Sequence, residues 1–147
     1  MAIYIKQVTA VETFKARHPV LRPGKSIESC HFEGDDDAST VHLALYVAEA
    51  LSGVISVFEK GHELFPEAHQ FQLRGMAVLE ENQKKGYGKL LIEEAENKIS
   101  HKRGELIWFN ARLVAVPFYE KLGYKKLGDP FDIGDIGAHY VMYKKLL

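Results

Sequence analysis

An apolar run, Leu73 to Leu79, leads into Gln83-Lys84-Lys85-Gly86-Tyr87-Gly88-Lys89, and an amphipathic run from Lys89 to Lys102 follows. A second apolar stretch, Glu105 to Ala111, comes next and carries Leu-Ile-Trp-Phe. Strand, glycine turn, helix and strand in this order predict a right-handed parallel βαβ unit. No other feature narrows the possible folds as much. The turn also has chemical content. A helix N-terminus carries unpaired N–H donors and about half a positive charge. Gly86 and Gly88 permit φ > 0 and close approach of an anion, and Lys84, Lys85 and Lys89 add charge. The segment therefore reads as a candidate pyrophosphate cradle.

The remaining elements surround this unit. Ile3 to Val8 reads as a first strand. Thr9 and Glu12 have the spacing of a capping box, with a helix to about His18 that Pro19 ends and Arg22-Pro23-Gly24 turning after it. His42 to Val47 and Val54 to Phe58 predict a hairpin, with Ser52-Gly53 in its connection. Phe71 to Val78 is the fourth strand, and Gly75 inside it predicts a bulge or a close backbone approach. Leu91, Ile92, Ala95 and Ile99 form the apolar face of the central helix, and Glu94 and Lys98 have ion-pair spacing on the other. Pro117 suits the first turn of a further helix and Gly123 its C′ position. Tyr124 to Leu127 and His139 to Tyr143 close the chain as strands, with Gly128 to Gly137 as a loop. The order is β-α-β-β-β-α-β-α-β-β. The predicted class is α/β (α+β), a mixed sheet of six to seven strands flanked by three main helices.

Bulk properties exclude several classes. At 147 residues the expectation is one domain, residues 1–147, with a sizeable core. A net charge of −1 gives no polyanion-binding signature, so nucleic acid is not an expected partner. Cys30 is the only cysteine, which excludes an intrachain disulfide or a multi-cysteine zinc site and fits a reducing cytoplasm. Met1 to Lys6 lacks the pattern of a signal peptide. No apolar run approaches the ~20 residues of a membrane span, so no membrane partner is expected.

Two familiar phosphate loops do not fit. A Walker loop needs Ser or Thr after its Lys, but Leu90 follows Lys89. A dinucleotide loop needs a third glycine and belongs at the first strand of its unit. The chain instead resembles the GNAT superfamily of acyl-CoA-dependent N-acetyltransferases. Gln83-x-x-Gly86-x-Gly88 after a strand is similar to that family's (Arg/Gln)-x-x-Gly-x-(Gly/Ala) signature. Phe118-Tyr119-Glu120-Lys121-Leu122-Gly123-Tyr124 is similar to its Tyr-Glu-Lys-Leu-Gly-Phe helix end. Ile133-Gly134-Asp135-Ile136-Gly137-Ala138-His139 looks like the ending of an ElaA-like subgroup, with Ala138 in place of its proline.

The resemblance implies the acyl-CoA N-acyltransferase fold and direct transfer of an acetyl group from acetyl-CoA to a primary amine. It implies that backbone groups of Gln83, Lys84, Lys85, Gly86, Tyr87, Gly88 and Lys89 hold the pyrophosphate. The pantetheine arm would pair with the backbone of Met76, Ala77 and Val78. A strand N–H there would be an oxyanion donor. Tyr119 matches the family's general acid. A phenol at pKa ~10 donating to a thiolate at ~8.5 faces a gap of ~1.5 units. The plain alternative for Tyr119 is packing beside Phe118 and Leu122.

Asn110 lies at the C-terminal end of a buried strand, where ligands collect in open α/β sheets, or is a polar strand-end cap. Arg112 reads as a holder of carrier phosphate or acidic substrate, or as a surface residue. His139 is the best general-base candidate, titrating near neutrality, with a structural histidine as its alternative. His42 is second, and a water chain is a third route. Glu33, Asp35, Asp36 and Asp37 read as a solvated turn, with attraction of a cationic amine as the competing reading. Cys30 reads as inert packing. No metal is expected. The acceptor amine is not legible, and a homodimer is the working expectation for assembly. A non-catalytic module that binds and senses acyl-CoA is the competing function.

Overall fold

A computed structural model describes residues 2–146. Seven strands form one mixed sheet in the order β1-β2-β3-β4-β5-β7-β6. In chain order these are β1 (Ile3–Val8), β2 (Val41–Val47), β3 (Ala50–Phe58), β4 (Gln70–Val78), β5 (Leu106–Arg112), β6 (Lys125–Ile133) and β7 (Gly137–Lys145). Helix α1 (Ala10–Leu21) follows β1, α2 (Tyr87–His101) joins β4 to β5, and α3 (Val116–Lys121) precedes β6. Among the described residues only β4 and β5 pair in parallel; every other pairing is antiparallel. The predicted element order and the mixed sheet are therefore both present.

Two helices cover opposite faces of the sheet. The apolar stripe Leu91, Ile92, Ala95 and Ile99 of α2 packs on Leu43, Leu45, Ile55, Val57, Phe71 and Leu73. Glu94 on its outer face accepts from Asn97 at 3.4 Å, and no Glu94–Lys98 ion pair forms among the described residues. Helix α1 packs Ala16 on Val8, Ala44, Val54 and Ala77. Gly53 keeps α2 close to β3: a Cβ there would stand 3.1 Å from Leu91 and 3.3 Å from the Ala77 carbonyl oxygen. Gly104 does the same beyond α2, where a Cβ would meet Ile99 and come within 2.9 Å of Phe71.

Three boundaries differ from the sequence reading. Pro19 does not end α1. The helix runs to Leu21, and the Arg22 N–H closes it on the Arg17 and His18 carbonyls at 3.1 Å. Pro19 and Lys15 are exposed, so the Lys15 carbonyl that Pro19 leaves without a donor is on the solvent side of the helix. The β2–β3 connection is Ala48-Glu49, not Ser52-Gly53. Both have φ > 0 (48° and 70°), as in a two-residue type I′ turn, which lets Val47 pair with Ala50. The Gly128–Gly137 loop is mostly strand. Strand β6 continues to Ile133 through an irregularity between Leu127 and Phe131, leaving Gly134–Ile136 as the connection. Gly128 supplies φ +67° there.

Candidate active site

The parallel pairing of β4 and β5 is short. It covers Gln70, Phe71 and Gln72 against Leu106, Ile107 and Trp108. Beyond it β4 stays on β3 and β5 stays on β7 through Arg112. The two central strands part, and their backbone edges face each other across a wedge.

A bulge in β4 makes the parting possible. Val54 pairs with Ala77 and Ser56 with Arg74, so Gly75 and Met76 together oppose Ile55. Gly75 has φ +67°, and a Cβ there would come within 2.9 Å of the Phe32 ring and 3.2 Å of Arg17 Nε. Only glycine meets both demands. Behind the bulge, the fully buried Arg17 donates to both Asp35 carboxylate oxygens at 2.7 and 3.0 Å. It also donates to Ser56 Oγ at 2.9 Å and the Cys30 carbonyl at 2.8 Å. Burial pushes the Asp35 carboxyl up, but hydrogen bonds from Arg17 and the Phe32 N–H, with the Arg17 charge, hold it below its ordinary value.

This network corrects two sequence readings. Asp35 is not part of a solvated turn; it is 3% exposed and closes an ion pair. Residues 33–37 line neither cavity of the wedge. His42 bonds Ser56 Oγ at 2.6 Å and the Asp35 carbonyl at 2.9 Å, and it too lines neither cavity. It is a structural histidine of the α1 face.

The wedge holds a cavity of about 280 Å³ whose walls include Gly75, Met76, Asn110, Arg112, Tyr119 and His139. The structure thus brings together Asn110 from β5, Tyr119 from α3 and His139 from β7. A second cavity of about 210 Å³ shares Leu73, Arg74, Gly75, Asn110 and His139 with the first.

Tyr119 is set by its helix. The α3 exit is a Schellman turn, in which Tyr124 N–H bonds the Tyr119 carbonyl at 3.1 Å and Gly123 sits at φ +95°. Tyr124 then donates its hydroxyl to Glu96 at 2.8 Å, and Lys144 reaches the same carboxylate at 3.0 Å. Burial, then Glu96, pushes the Tyr124 phenol up. The Tyr119 ring packs on Phe109 with centroids 4.4 Å apart. Its hydroxyl has no hydrogen-bond partner among the described residues, and burial pushes its pKa up to about 12. Of these two tyrosines, one is tied to a carboxylate and the other is left free at the cavity.

His139 is 5% exposed. Its Nδ1 lies 2.8 Å from the Gly137 carbonyl, which can only accept. In the neutral ring the proton therefore sits on Nδ1, and Nε2 keeps its lone pair. Asn110 is exposed and faces both cavities. The carboxylates that flank β4 and β5 line neither cavity: Glu80 and Glu81 are exposed, and Glu105 accepts from His69 N–H at 2.8 Å.

The wedge runs toward the start of α2. Met76 lines the cavity, and its Cε is 3.6 Å from where a Gly88 Cβ would lie. Gly86 caps α2 at φ +86° without any side-chain cap, and a Cβ there would meet nothing within 4 Å. The first intrahelical bond beyond it is Leu90 N–H to the Gly86 carbonyl at 3.2 Å, leaving the N–H groups of Tyr87, Gly88 and Lys89 without helical partners. Gly88 does not have φ > 0, since it already lies inside the helix; Lys84 instead takes the left-handed conformation at φ 64°. Lys84, Lys85 and Lys89 are exposed, whereas the Tyr87 ring is buried. Gln83 ties the turn to the strand by donating its side-chain amide to the Val78 carbonyl at 2.9 Å. Ala77 and Val78 pair with β3, and their other edge has no strand partner. Three residues at the second cavity, Gln72, Arg74 and Arg22, had no site role in the sequence reading. A charged residue inside the apolar strand β4 was the available signal for Arg74.

Comparison with known proteins identifies the family and the fold. Residues 9–146 match the acetyltransferase (GNAT) domain family. The chain is 39% identical over 142 residues to the uncharacterised N-acetyltransferase YitI of Bacillus subtilis (strain 168), covering 97% of this chain and 95% of that one. It shares its fold with an aminoglycoside 6′-N-acetyltransferase solved with coenzyme A (TM-score 0.77, 15% identity, 98% and 97% of the chains covered). It also shares the fold of Escherichia coli ElaA (TM-score 0.74, 13% identity, 97% and 99% covered). The chain belongs to the GNAT acetyltransferase family and is an acyltransferase.

Proposed function

We propose that residues 1–147 act as one N-acetyltransferase domain that moves an acetyl group from acetyl-CoA to a primary amine by direct attack. The observation that carries this is the wedge between β4 and β5, which joins the uncapped start of α2 to Tyr119, Asn110 and His139. The residues fit the carrier. Unpaired N–H groups at Tyr87 to Lys89 and three exposed lysines suit a pyrophosphate. The unpartnered edge of Met76 to Val78 suits an extended amide-bearing arm, with one N–H as oxyanion donor. Acetyl-CoA supplies the activated thioester.

His139 Nε2 accepts the proton that the amine loses. The new C–N bond replaces the C–S bond, and the sulfur leaves as a thiolate that takes its proton from water to give the free thiol. Tyr119 lines the same cavity. Its raised pKa puts full proton transfer to a thiolate ~3.5 units, or ~5 kcal/mol, uphill against the ordinary thiol value. Tyr119 therefore acts as a hydrogen-bond donor to the developing thiolate and remains protonated. Asn110 orients the amine or a water beside His139. The buried, free Cys30 takes no part and fits a reducing cytoplasm.

Thermal shift with acetyl-CoA, followed by thiol release over a panel of amines, tests this reading. A ligand at ~100 times Kd adds ~2.7 kcal/mol of stability. Absence of any shift would sink the proposal, and binding without thiol release on every amine would favour the acyl-CoA-sensing module.

A further inference from the structure

The second cavity has a one-sided charge. Arg22 comes from the residue after α1 and Arg74 from β4, and both residues line it. No carboxylate is among its lining residues. Neither arginine forms an ion pair among the described residues. Arg22 Nε is buried without a hydrogen-bond partner among the described residues. Arg74 stacks on Phe32, with Cζ 4.6 Å from the ring centroid. Burial first, then repulsion from Arg17 and Arg22, lowers its pKa, while Asp35 and Glu33 oppose the shift. Asp35 is already engaged by Arg17, and Glu33 is exposed. The cavity thus has an unneutralised cationic wall.

A second observation is independent of charge. Gln72 is 6% exposed, lines the same cavity, and its Oε1 has no hydrogen-bond partner among the described residues. It sits at the last paired position of β4 and β5, where the wedge opens. A buried carbonyl oxygen without a donor is costly in the free protein and is satisfied by a ligand N–H or O–H.

Building on the transferase reading above, we propose that the acceptor is a small primary amine that carries an anionic group, a carboxylate or a phosphate. Arg22 and Arg74 hold the anion, and Gln72 Oε1 accepts an N–H or O–H from the same molecule. The amine then lies at Asn110 and His139, the wall common to both cavities. The volume of about 210 Å³ suits a molecule of amino-acid or amino-sugar size. Phe32, Ile133 and Ile136 give the remaining walls an apolar character. A polycationic amine meets like charge at this wall and has no carboxylate to bind.

The test compares matched acceptors on the full chain with acetyl-CoA. L-Methionine is set against L-methioninamide, and glucosamine 6-phosphate against glucosamine, with spermidine as the polycation. Rates of thiol release are normalised to the neutral fraction of each amine. At least one anionic member should exceed its neutral partner by about tenfold or more in kcat/KM, and which pair shows it separates carboxylate from phosphate. Arg74→Gln and Arg22→Gln should bring that ratio towards one through KM, and Arg74→Lys should restore part of it. Neutral partners or spermidine matching the anionic amines would overturn the proposal, as would a ratio untouched in both glutamine variants. If acetyl-CoA binds but nothing is acetylated, the transferase reading fails. Calorimetric titration of L-methionine and glucosamine 6-phosphate into the CoA-saturated protein then decides the anion site. Heat lost in Arg74→Gln supports it, and no heat with either compound overturns it.

Discussion

Tyr119 and Tyr124 lie five residues apart near the exit of one short helix, yet they have different fates. Glu96 engages the Tyr124 hydroxyl, so that ring fastens α3 to α2. Tyr119 has no such partner among the described residues, and it lines the cavity. Tyr119→Phe should lower kcat by roughly 10²-fold, the usual scale for one hydrogen-bond donor to developing charge, with acetyl-CoA affinity unchanged. Steady-state kinetics with a separate binding titration checks this. An unaltered kcat would remove the donor role. Because burial raises the phenol to about 12, the rate should show no loss from its ionisation across the neutral and mildly alkaline range. At this scale the sequence motif identified Tyr119, but the reference pKa understated its hold on the proton. The motif cannot report the rings that surround it.

Glycines decide the shape of two elements. Gly75 creates the bulge that parts β4 from β5, and Gly86 leaves the start of α2 open. Gly86→Asp places a charge where N–H donors face outward, in a backbone conformation with φ +86° that aspartate tolerates poorly. A Cβ at this position meets nothing within 4 Å, so the fold should survive. Acetyl-CoA affinity should fall at least about 100-fold, read by calorimetry, because repulsion replaces anion attraction. Wild-type affinity would remove the cradle from the mechanism. The sequence signalled both glycines. It also hid one turn altogether: Ala48-Glu49 adopts two left-handed residues without the Asn-Gly that usually marks such a hairpin. Strand pairing on both sides of the turn overrides local preference there.

For the whole molecule, the buried Arg17–Asp35 pair joins α1, the 33–37 turn and β3 behind the bulge. Asp35→Ala leaves a buried guanidinium without its counter-charge and should cost ~3–5 kcal/mol in denaturant unfolding. The pair also sets a pH dependence. The folded carboxyl lies below its ordinary value, so its contribution is present above the unfolded pKa of ~3.9 and is lost as pH falls through the folded value. Unfolding free energy should therefore drop on the acid side of pH ~4, and Asp35→Asn should flatten that slope. An equal slope in the variant would show that other carboxylates govern acid unfolding.

The sequence by itself determined the element order, the parallel βαβ unit, the open helix start and the tyrosine on α3. These follow from periodicity, glycine placement and motif spacing, which are local properties of the chain. Only the tertiary structure decided that Asp35 is buried, that His42 is structural, and that Arg22, Gln72 and Arg74 share a cavity with His139. Those facts depend on which distant segments the sheet brings face to face. A charge reads the same in sequence whether water or a guanidinium surrounds it, and only packing chooses between the two.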